Sequence, residues 1–234
     1  MTDKIQPTGL RLPATSYAIL GMLAVRPWSA YELTKQIRRS LEYCWPKAES
    51  VLYDEPKRLT ALGLTRAYEQ PIGRRTRSVY EITNQGREAL RAWLATEPAP
   101  PRLEIEPILR LLFADHGTKQ DALRAVRALQ GWARERIAFG LAQLQGYQDG
   151  DAPFPDRLHI NALFARFYAD LFDVMNRWAD LAEREIQAWP RTDGLGMTPR
   201  SQELINEIIT RASQLGYSAS TSDTLSPDPP TRVL

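Results

Sequence analysis

The sequence predicts a mainly α-helical protein of two domains, of which only the first contains β structure. Three observations carry this prediction. Apolar residues recur at spacings of three and four over most of the 234 residues, which is the period of an amphipathic helix. One stretch, residues 64–83, instead has the composition of two short strands around a turn that contains proline and glycine. Three prolines within residues 97–102 mark a stiff spacer, beyond which the chain is helical and acidic.

The composition is that of a globular protein, with 43% hydrophobic and 25% charged residues, and excludes disorder over the whole chain. No apolar run of about 18 residues is free of charge, and the N-terminal residues have no apolar stretch like that of a secretory signal. A single cysteine, Cys44, excludes an internal disulfide framework and a site with several cysteine ligands. We therefore expect no membrane partner, a partly buried free thiol and a cytoplasmic protein.

Charge is distributed unevenly along the chain. Residues 1–96 carry 15 Lys and Arg against 9 Asp and Glu, whereas residues 97–234 carry 15 against 19. The first part thus has a net charge of +6 within a chain whose total is only +2. A basic first domain favours a polyanionic partner, although a solvated basic face with no partner fits the charge equally well.

These patterns predict five segments. They are a flexible arm at 1–13, a first domain at 14–96, a Pro-rich linker at 97–103, a helical domain at 104–216 and a disordered tail at 217–234.

Within the first domain, a densely apolar helix at 15–26 is followed by Pro27 and by a second helix that reaches about Ser40. Ser29 is expected to cap this second helix, with Glu32 reaching back to the Ser29 N–H. Its inner face should carry Leu33 and Ile37, with Tyr31 beside them.

A third helix is expected at about 48–62, with Val51, Leu52, Leu59 and Leu62 buried. Pro56 lies inside it, so that either the helix bends there or a second short helix begins. Strands at 64–69 and 78–83 then enclose a basic turn at 70–77. Thr83 should cap a last helix at 84–96 whose inward residues are Ala89, Leu90, Trp93 and Leu94.

The order of three helices, a hairpin and a helix over about 90 residues is a winged helix-turn-helix arrangement. The major groove of DNA is about 12 Å wide and admits one helix, while a hairpin beside that helix can reach phosphates or the minor groove. We therefore expect duplex DNA as the partner. The predicted contacts come from the second helix, the third helix and the hairpin. They are Lys35, Arg38, Arg39, Lys47, Ser50, Tyr53, Lys57, Arg74, Arg75 and Arg77. Arg66, on the first strand of the hairpin, is a further predicted contact.

The second domain should contain helices at about 104–114, 118–144, 158–189 and 201–215. Along the third of these, apolar residues step by four and three from Ile160 to Leu181, which is a heptad pattern about three repeats long. This stripe needs either a long partner helix in the same chain or a second chain. We expect an all-α dimerisation domain that forms a homodimer through Phe164, Phe167, Leu171, Val174, Trp178 and Leu181.

Three segments together resemble the PadR-like transcriptional regulators. They are SYAILGML with PWSAYEL (residues 16–33), LY followed by KRLTALGL (residues 52–64), and YEITNQGREAL (residues 80–90). The resemblance covers about residues 10–96 and implies a homodimeric DNA-binding regulator, usually a repressor of an inverted-repeat operator. It also implies a small aromatic or amphipathic effector at the dimer interface. Two departures are Ala30, where the family often has glycine, and Pro56 in the recognition segment.

Rings that could line an effector space are Trp132, Phe139, Phe164, Phe167, Tyr168, Phe172 and Trp178, although aromatics at helical spacing are more often plain core. Two other function classes, an enzyme and a protein-binding module, are compatible with a chain of this size. His116 and His159 show no metal or nucleophile spacing and no glycine-rich phosphate loop is present, so we expect no enzyme, cofactor or metal. A winged helix that binds protein rather than DNA remains the alternative, against which the basic hairpin argues.

Overall fold

A computed structural model describes residues 12–41, 45–73 and 75–217, with only the backbone of Arg75. The chain divides into two compact units between Pro101 and Arg102. Apart from residues 12, 13 and 217, the predicted arm and tail lie outside the described residues, as do Cys44 and Arg74.

The first unit is a winged helix, as the sequence predicts. Its elements in chain order are α1 (Ala14–Val25), β1 (Trp28–Ser29), α2 (Ala30–Leu41), α3 (Glu49–Ala61), β2 (Thr65–Ile72), β3 (Arg75–Ile82) and α4 (Asn84–Leu94). The three strands form an antiparallel sheet in the order β1-β3-β2. Its core is formed by apolar side chains from every helix except α4 and from the sheet: Ile19, Leu20, Leu23, Trp28, Leu33, Ile37, Leu52, Leu59, Leu64, Val79, Tyr80 and Ile82.

The start of α2 is built as the sequence predicts, with one addition. Glu32 accepts hydrogen bonds from the Ser29 backbone N–H (3.1 Å) and from the Ser29 hydroxyl (2.7 Å), which closes the first turn. Just before α2, Trp28 and Ser29 form a strand that pairs with Tyr80 and Val79 of β3. The sequence did not predict this two-residue strand. The prediction for Tyr31 was wrong, since its side chain is 63% exposed while Leu33, Thr34 and Ile37 face the core.

Helix α3 runs from Glu49 to Ala61 as one element through Pro56, so no second helix begins there. Pro56 is fully buried and lies on the inner face with Leu52 and Leu59. Its ring packs in the core, in compensation for the backbone hydrogen bond that proline removes. Val51, predicted to be buried, is 42% exposed because the inner face rotates toward residues 52, 55, 56 and 59.

The hairpin, which we call the wing (β2 and β3), has longer strands than predicted. Pairing extends from Thr65 with Ile82 to Ile72 with Arg75, so most of the predicted turn at 70–77 belongs to the strands. Pro71 fits because β2 is an edge strand, where a missing N–H breaks no ladder hydrogen bond. Gly73 has φ +59°, a left-handed conformation that favours glycine.

Helix α4 begins with the predicted cap, because the Thr83 side chain accepts a hydrogen bond from the Gly86 N–H. A Cβ on Gly86 would lie 2.1 Å from the Leu64 carbonyl oxygen, so glycine is what allows α4 to approach the backbone just before β2. Trp93 stacks on Tyr17 of α1 with 4.8 Å between ring centroids. Leu94, predicted to face inward, is 68% exposed.

The described part of the second unit, residues 102–217, contains helices and no strand. It contains α5 (Glu106–Leu112), a 3₁₀ turn (Ala114–His116), α6 (Lys119–Gln148), a second 3₁₀ turn (Pro155–Arg157), α7 (Leu158–Ala188) and α8 (Pro199–Gln214). A capping box of Thr118 and Asp121 starts α6, and a similar one of Thr198 and Ser201 starts α8. Within the described residues, no helix has the length and apolar character needed to cross a membrane.

Helices α6 and α7 pack antiparallel. Early residues of α6 meet late residues of α7: Lys119 Nζ donates to the carbonyls of Gln187 and Trp189, and Arg127 Nε donates to Glu183 (2.8 Å). Farther along α6, Arg134 Nε donates to Asn176 (2.9 Å). The core between the two helices contains Leu123, Val126, Ala133, Phe172, Ala179 and Ile186.

Candidate nucleic-acid interface

Six of the ten side chains predicted to contact DNA are exposed on α2, on α3 or in the segment before α3. They are Lys35, Arg38, Arg39, Lys47, Ser50 and Lys57. Tyr53 is half-buried on α3, between the exposed positions 50 and 57 and the buried inner face. Since the buried residues of α3 are Leu52, Glu55, Pro56 and Leu59, the opposite side of this helix is open to a ligand.

Two of these cations have carboxylate neighbours. Lys57 Nζ donates to Asp54 Oδ1 (2.9 Å), and this contact raises the pKa of Lys57. Arg38 Nη1 donates to Glu49 Oε2 (3.2 Å), so that α2 and the first turn of α3 are linked. All four side chains are more than half exposed, and such surface pairs contribute little to stability. Both cations therefore stay available to an anionic ligand.

A buried polar cluster holds α3 on α1. Ser16 Oγ donates to Glu55 Oε1 (2.5 Å), while Arg58 donates from Nε to Glu55 Oε2 (2.8 Å) and from Nη2 to the Ser16 hydroxyl (2.9 Å). Ser16 is fully buried and Glu55 is 8% exposed. Burial alone would raise the pKa of Glu55, but the hydrogen bonds from Arg58 and Ser16 outweigh it and the pKa is lowered. Glu55 is thus a buried carboxylate with its charge satisfied.

The wing arginines differ in their surroundings. Arg77 is half-buried and donates from Nη1 to Glu32 Oε1 of α2 (2.7 Å) and from Nε and Nη2 to Gln70 Oε1 (3.1 and 2.8 Å). Arg66 pairs across the two strands with Glu81. Arg75 has its backbone in β3, and Arg74 lies outside the described part of the chain.

The predicted dimerisation stripe is largely open on the described chain. Phe172, Ala179 and Ile186 of α7 face α6, whereas the stripe occupies another side of the helix. Phe167 is 61% and Val174 52% exposed, and Phe164 is also exposed. Leu171, Trp178 and Leu181 are half-buried, with Trp178 packed against the core between α6 and α7. The N-terminal half of the stripe is therefore not buried within one chain, which contradicts the alternative of an intramolecular core for that half.

Five of the seven predicted effector-lining rings, Trp132, Phe164, Phe167, Tyr168 and Phe172, form a chain of contacts between α6 and α7. Trp132 is edge-to-face on Phe172 (5.2 Å between centroids), and Tyr168 contacts Phe164, Phe167 and Phe172 at 4.8–5.6 Å. Of these rings only Phe172 is fully buried, while Phe139 lies exposed on α6.

The histidines show no catalytic setting in the described residues. His116 is highly exposed beside Asp115, and His159 is exposed in the first turn of α7. Over residues 12–41, 45–73 and 75–217, no group of three His, Cys, Asp or Glu side chains could hold a metal ion.

Two features of this interface were not predicted from the sequence. It did not identify Glu55 as buried, although position 55 lies three residues after Leu52 and four before Leu59, on the same helix face. It also did not identify the contact between Glu32 and Arg77, which are 45 residues apart and leave no local signal.

Comparisons with known proteins point to one family. Residues 19–92 match the Transcriptional regulator PadR-like family. The negative transcriptional regulator PadR of Bacillus subtilis (strain 168) is 30% identical over 108 residues, which are 45% of this chain and 59% of that protein. The matched region therefore spans about three fifths of the length of this curated relative.

Solved structures show the same fold beyond the first unit. B. subtilis PadR in complex with operator DNA aligns with a TM-score of 0.65 at 21% identity, over 75% of this chain and 99% of that one. B. subtilis PadR in complex with p-coumaric acid aligns with a TM-score of 0.57 at 21% identity, over 77% and 100%. The region that is similar to the PadR-like family of transcriptional regulators, residues 19–92, lies in the winged helix that carries the exposed basic side chains.

Proposed function

We propose that this protein is a sequence-specific DNA-binding transcriptional regulator that acts as a homodimer on an inverted-repeat operator. The observation that carries the proposal is the exposed basic surface of α2 and α3 beside a wing, in a winged helix whose α3 turns its outer side to solvent. Repression is the proposed output, because the curated relative is a negative regulator. The protein would act in the cytoplasm, without catalytic activity.

Support for DNA as the ligand comes from the charge of the first 96 residues and from structural similarity to a solved protein–DNA complex. The first 96 residues have a net charge of +6, and exposed cations lie on both α2 and α3. A neighbour of the same fold, B. subtilis PadR, has been solved with operator DNA. Phosphate contacts supply much of the affinity of such proteins, so binding should weaken steeply as salt concentration rises.

The experiment is a binding selection on genomic fragments with the purified full chain. Retained fragments should share an inverted repeat, and the centres of its half-sites should lie about 34 Å, one DNA turn, or a multiple of it apart. Fragments that share no sequence would contradict sequence-specific regulation.

Support for the homodimer comes from α7. A row of exposed apolar residues on a 31-residue helix is costly in water and is typical of a helix with a missing partner. Two winged helices joined in this way would read both halves of a symmetric site. Sedimentation of the full chain should give the mass of a dimer at micromolar concentration, and a monomer would contradict the proposal.

A small aromatic or amphipathic effector is part of the proposal. The half-exposed rings at the α6–α7 contact offer a surface for a planar apolar molecule, and B. subtilis PadR has been solved with p-coumaric acid. Titration of tryptophan fluorescence with phenolic and cationic aromatic compounds tests it. A saturable change that also releases DNA is expected, and no response to any compound would contradict this part.

The alternative is a winged helix that binds a protein and no DNA. It requires that the natural chain have no affinity for duplex DNA. DNA binding by the natural chain, and by a variant in which the charges of Lys35 and Arg39 are both reversed, distinguishes the two: we expect the natural chain to bind and the variant to lose binding, and no binding by the natural chain would favour the alternative.

A further inference from the structure

We propose that Glu32 and Arg77 form a positioning pair that fixes the wing against the start of α2, and that Arg77 acts through this pair rather than as a phosphate contact. The inference rests on the proposed DNA-binding function and concerns how the wing is held for it. Sequence reasoning placed Arg77 among the phosphate contacts because it lies in a basic hairpin.

The contacts of Arg77 point inward. Its Nε, Nη1 and Nη2 each donate a hydrogen bond within the protein, so three of the five N–H groups of the guanidinium are engaged. Gln70, one of the two acceptors, is the direct cross-strand neighbour of Arg77 on β2. Glu32, the other acceptor, belongs to α2. Arg77 therefore links both strands of the wing to the helix-turn-helix.

Glu32 is the centre of this link. Its Oε1 accepts from Arg77, while its Oε2 accepts from the backbone N–H and hydroxyl of Ser29. Burial works against ionisation, but the hydrogen bonds from Ser29 and Arg77 lower the pKa of Glu32, which is thus charged at neutral pH. One carboxylate caps α2 and holds the wing at the same time.

Backbone pairing between β1 and β3 adds a second connection between the start of α2 and the wing. Ser29, the capping partner of Glu32, pairs with Val79 of β3, and Val79 lies two residues from Arg77. Strand β1 has only two residues and would be marginal as an isolated element. The Glu32–Arg77 ion pair, about one-third exposed on each side, supports it from the side chains. The angle of the wing to α2 and α3 then depends on this pair.

The two roles of Arg77 predict opposite effects of Glu32→Gln. If Arg77 contacts phosphate, removing the carboxylate frees it and removes a negative charge, so DNA binding should tighten. If the pair positions the wing, the same variant should weaken binding. The glutamine keeps an oxygen that can accept from Ser29, so the cap of α2 is largely preserved.

The experiment measures operator affinity of the full chain over a range of salt concentrations, on the fragment recovered by selection. We expect Glu32→Gln and Arg77→Gln each to weaken binding about five- to tenfold, and the double variant to bind no worse than the weaker single variant. The dependence of affinity on salt should be the same for Arg77→Gln as for the natural protein. Tighter binding by Glu32→Gln, additive losses, no loss in either variant, or a salt slope lowered by about one in Arg77→Gln would each overturn the proposal.

A control variant and a second measurement distinguish failure of the positioning pair from failure of the proposed DNA-binding function. Ser78→Ala removes the hydrogen bond from Ser78 to Glu69 within the wing without touching α2, so affinity should be retained. Amide hydrogen exchange of the free protein should be faster at Val79 and Tyr80 in both Glu32→Gln and Arg77→Gln, and unchanged in Ser78→Ala. Unaltered exchange in the first two variants would contradict a positioning role. If the natural protein binds no duplex, the proposed function fails, and the exchange measurement alone still decides whether the pair holds the wing.

Discussion

A single buried carboxylate shows how one residue shapes the recognition helix. Glu55 lies between two core leucines of α3 and is satisfied by Ser16 of α1 and Arg58. A buried charge is tolerated only when it is paired and hydrogen-bonded, so this cluster also specifies which side of α3 faces inward. Ser50, Tyr53 and Lys57 are consequently turned away from α1.

Replacing this carboxylate should destabilise the first unit. Glu55→Gln loses the ion pair with Arg58 and is expected to lower the free energy of unfolding by about 1–3 kcal/mol at neutral pH. Urea unfolding of the full chain, followed by circular dichroism, measures the effect. Glu106→Gln is a matched control, because its pair with Arg110 is exposed and should contribute little.

The contribution of Glu55 to the free energy of unfolding should depend on pH. The pKa of Glu55 is lowered from 4.5, so the folded state binds its proton more weakly than the unfolded state. The stability that Glu55 contributes is therefore present above pH 4.5 and lost as pH falls through the lowered pKa. The difference between the natural protein and Glu55→Gln should shrink in that acidic range, and a difference that grows there would contradict the charged state.

On the outer side of α3, Lys57 and Asp54 should have opposite effects on the affinity for duplex DNA. Lys57→Ala is expected to weaken binding to all duplex sequences and to lower the salt slope by about one. Asp54→Asn removes a carboxylate that repels phosphate and should tighten binding about two- to fivefold. Fluorescence anisotropy at several salt concentrations measures both. The control Asp173→Asn makes the same charge change in the second unit, and an equal effect there would argue against a contact at α3.

Arg75 provides a contrast with Arg77 on the same strand. The sequence places it at the end of the wing, so Arg75→Ala should weaken binding to specific and random duplexes alike. Its salt slope should fall by about one, as for a lost phosphate contact. An unchanged slope would remove Arg75 from the DNA contacts.

At the scale of elements, helices were easier to predict than the sheet. The period of three and four, together with Ser29, Thr83 and Thr118 as caps, located helix starts to within one or two residues. The wing was predicted too short because Pro71 and Gly73 indicated a long turn. Only the position of β2 at the edge of the sheet, a tertiary property, explains why Pro71 continues the strand. Strand β1 was missed because two residues cannot show a period.

Side-chain burial was predicted less well than helix position. Residues 31, 51 and 94 are apolar and were assigned to the core, yet all three are exposed. Periodicity locates an apolar face only to within about one residue on either side, and neighbouring elements decide which members are covered. For α7 the limits were right, and its buried residues, Phe172, Ala179 and Ile186, are not members of the heptad stripe that was predicted to form the dimer interface.

The stripe on α7 yields a prediction about association. Phe167→Glu places a charge in an exposed apolar row and is expected to convert a dimer into a monomer without unfolding the chain. Analytical ultracentrifugation measures the mass. Ala169→Glu adds the same carboxylate two residues along α7, off the stripe, and should stay dimeric. A dimeric Phe167→Glu would place the interface elsewhere.

At the scale of the whole molecule, the chain combines a basic winged helix with a helical unit of opposite net charge, separated by a Pro-rich segment. The sequence predicted this organisation because composition and charge change together near residue 97. It could not predict the pairing of Glu32 with Arg77 or of Glu55 with Ser16, since such contacts depend on the packed fold. The polar contacts that orient the candidate site were thus visible only in the structure.

Binding of the purified full chain to duplex DNA is the decisive test of sequence-specific recognition by a dimer. Affinity should be measured at low and at near-physiological salt on fragments recovered from the genome, against a random duplex of equal length. We expect tight binding to fragments that share an inverted repeat, weaker and strongly salt-dependent binding to the random duplex, and two chains per site. No affinity for any duplex at low salt would contradict it.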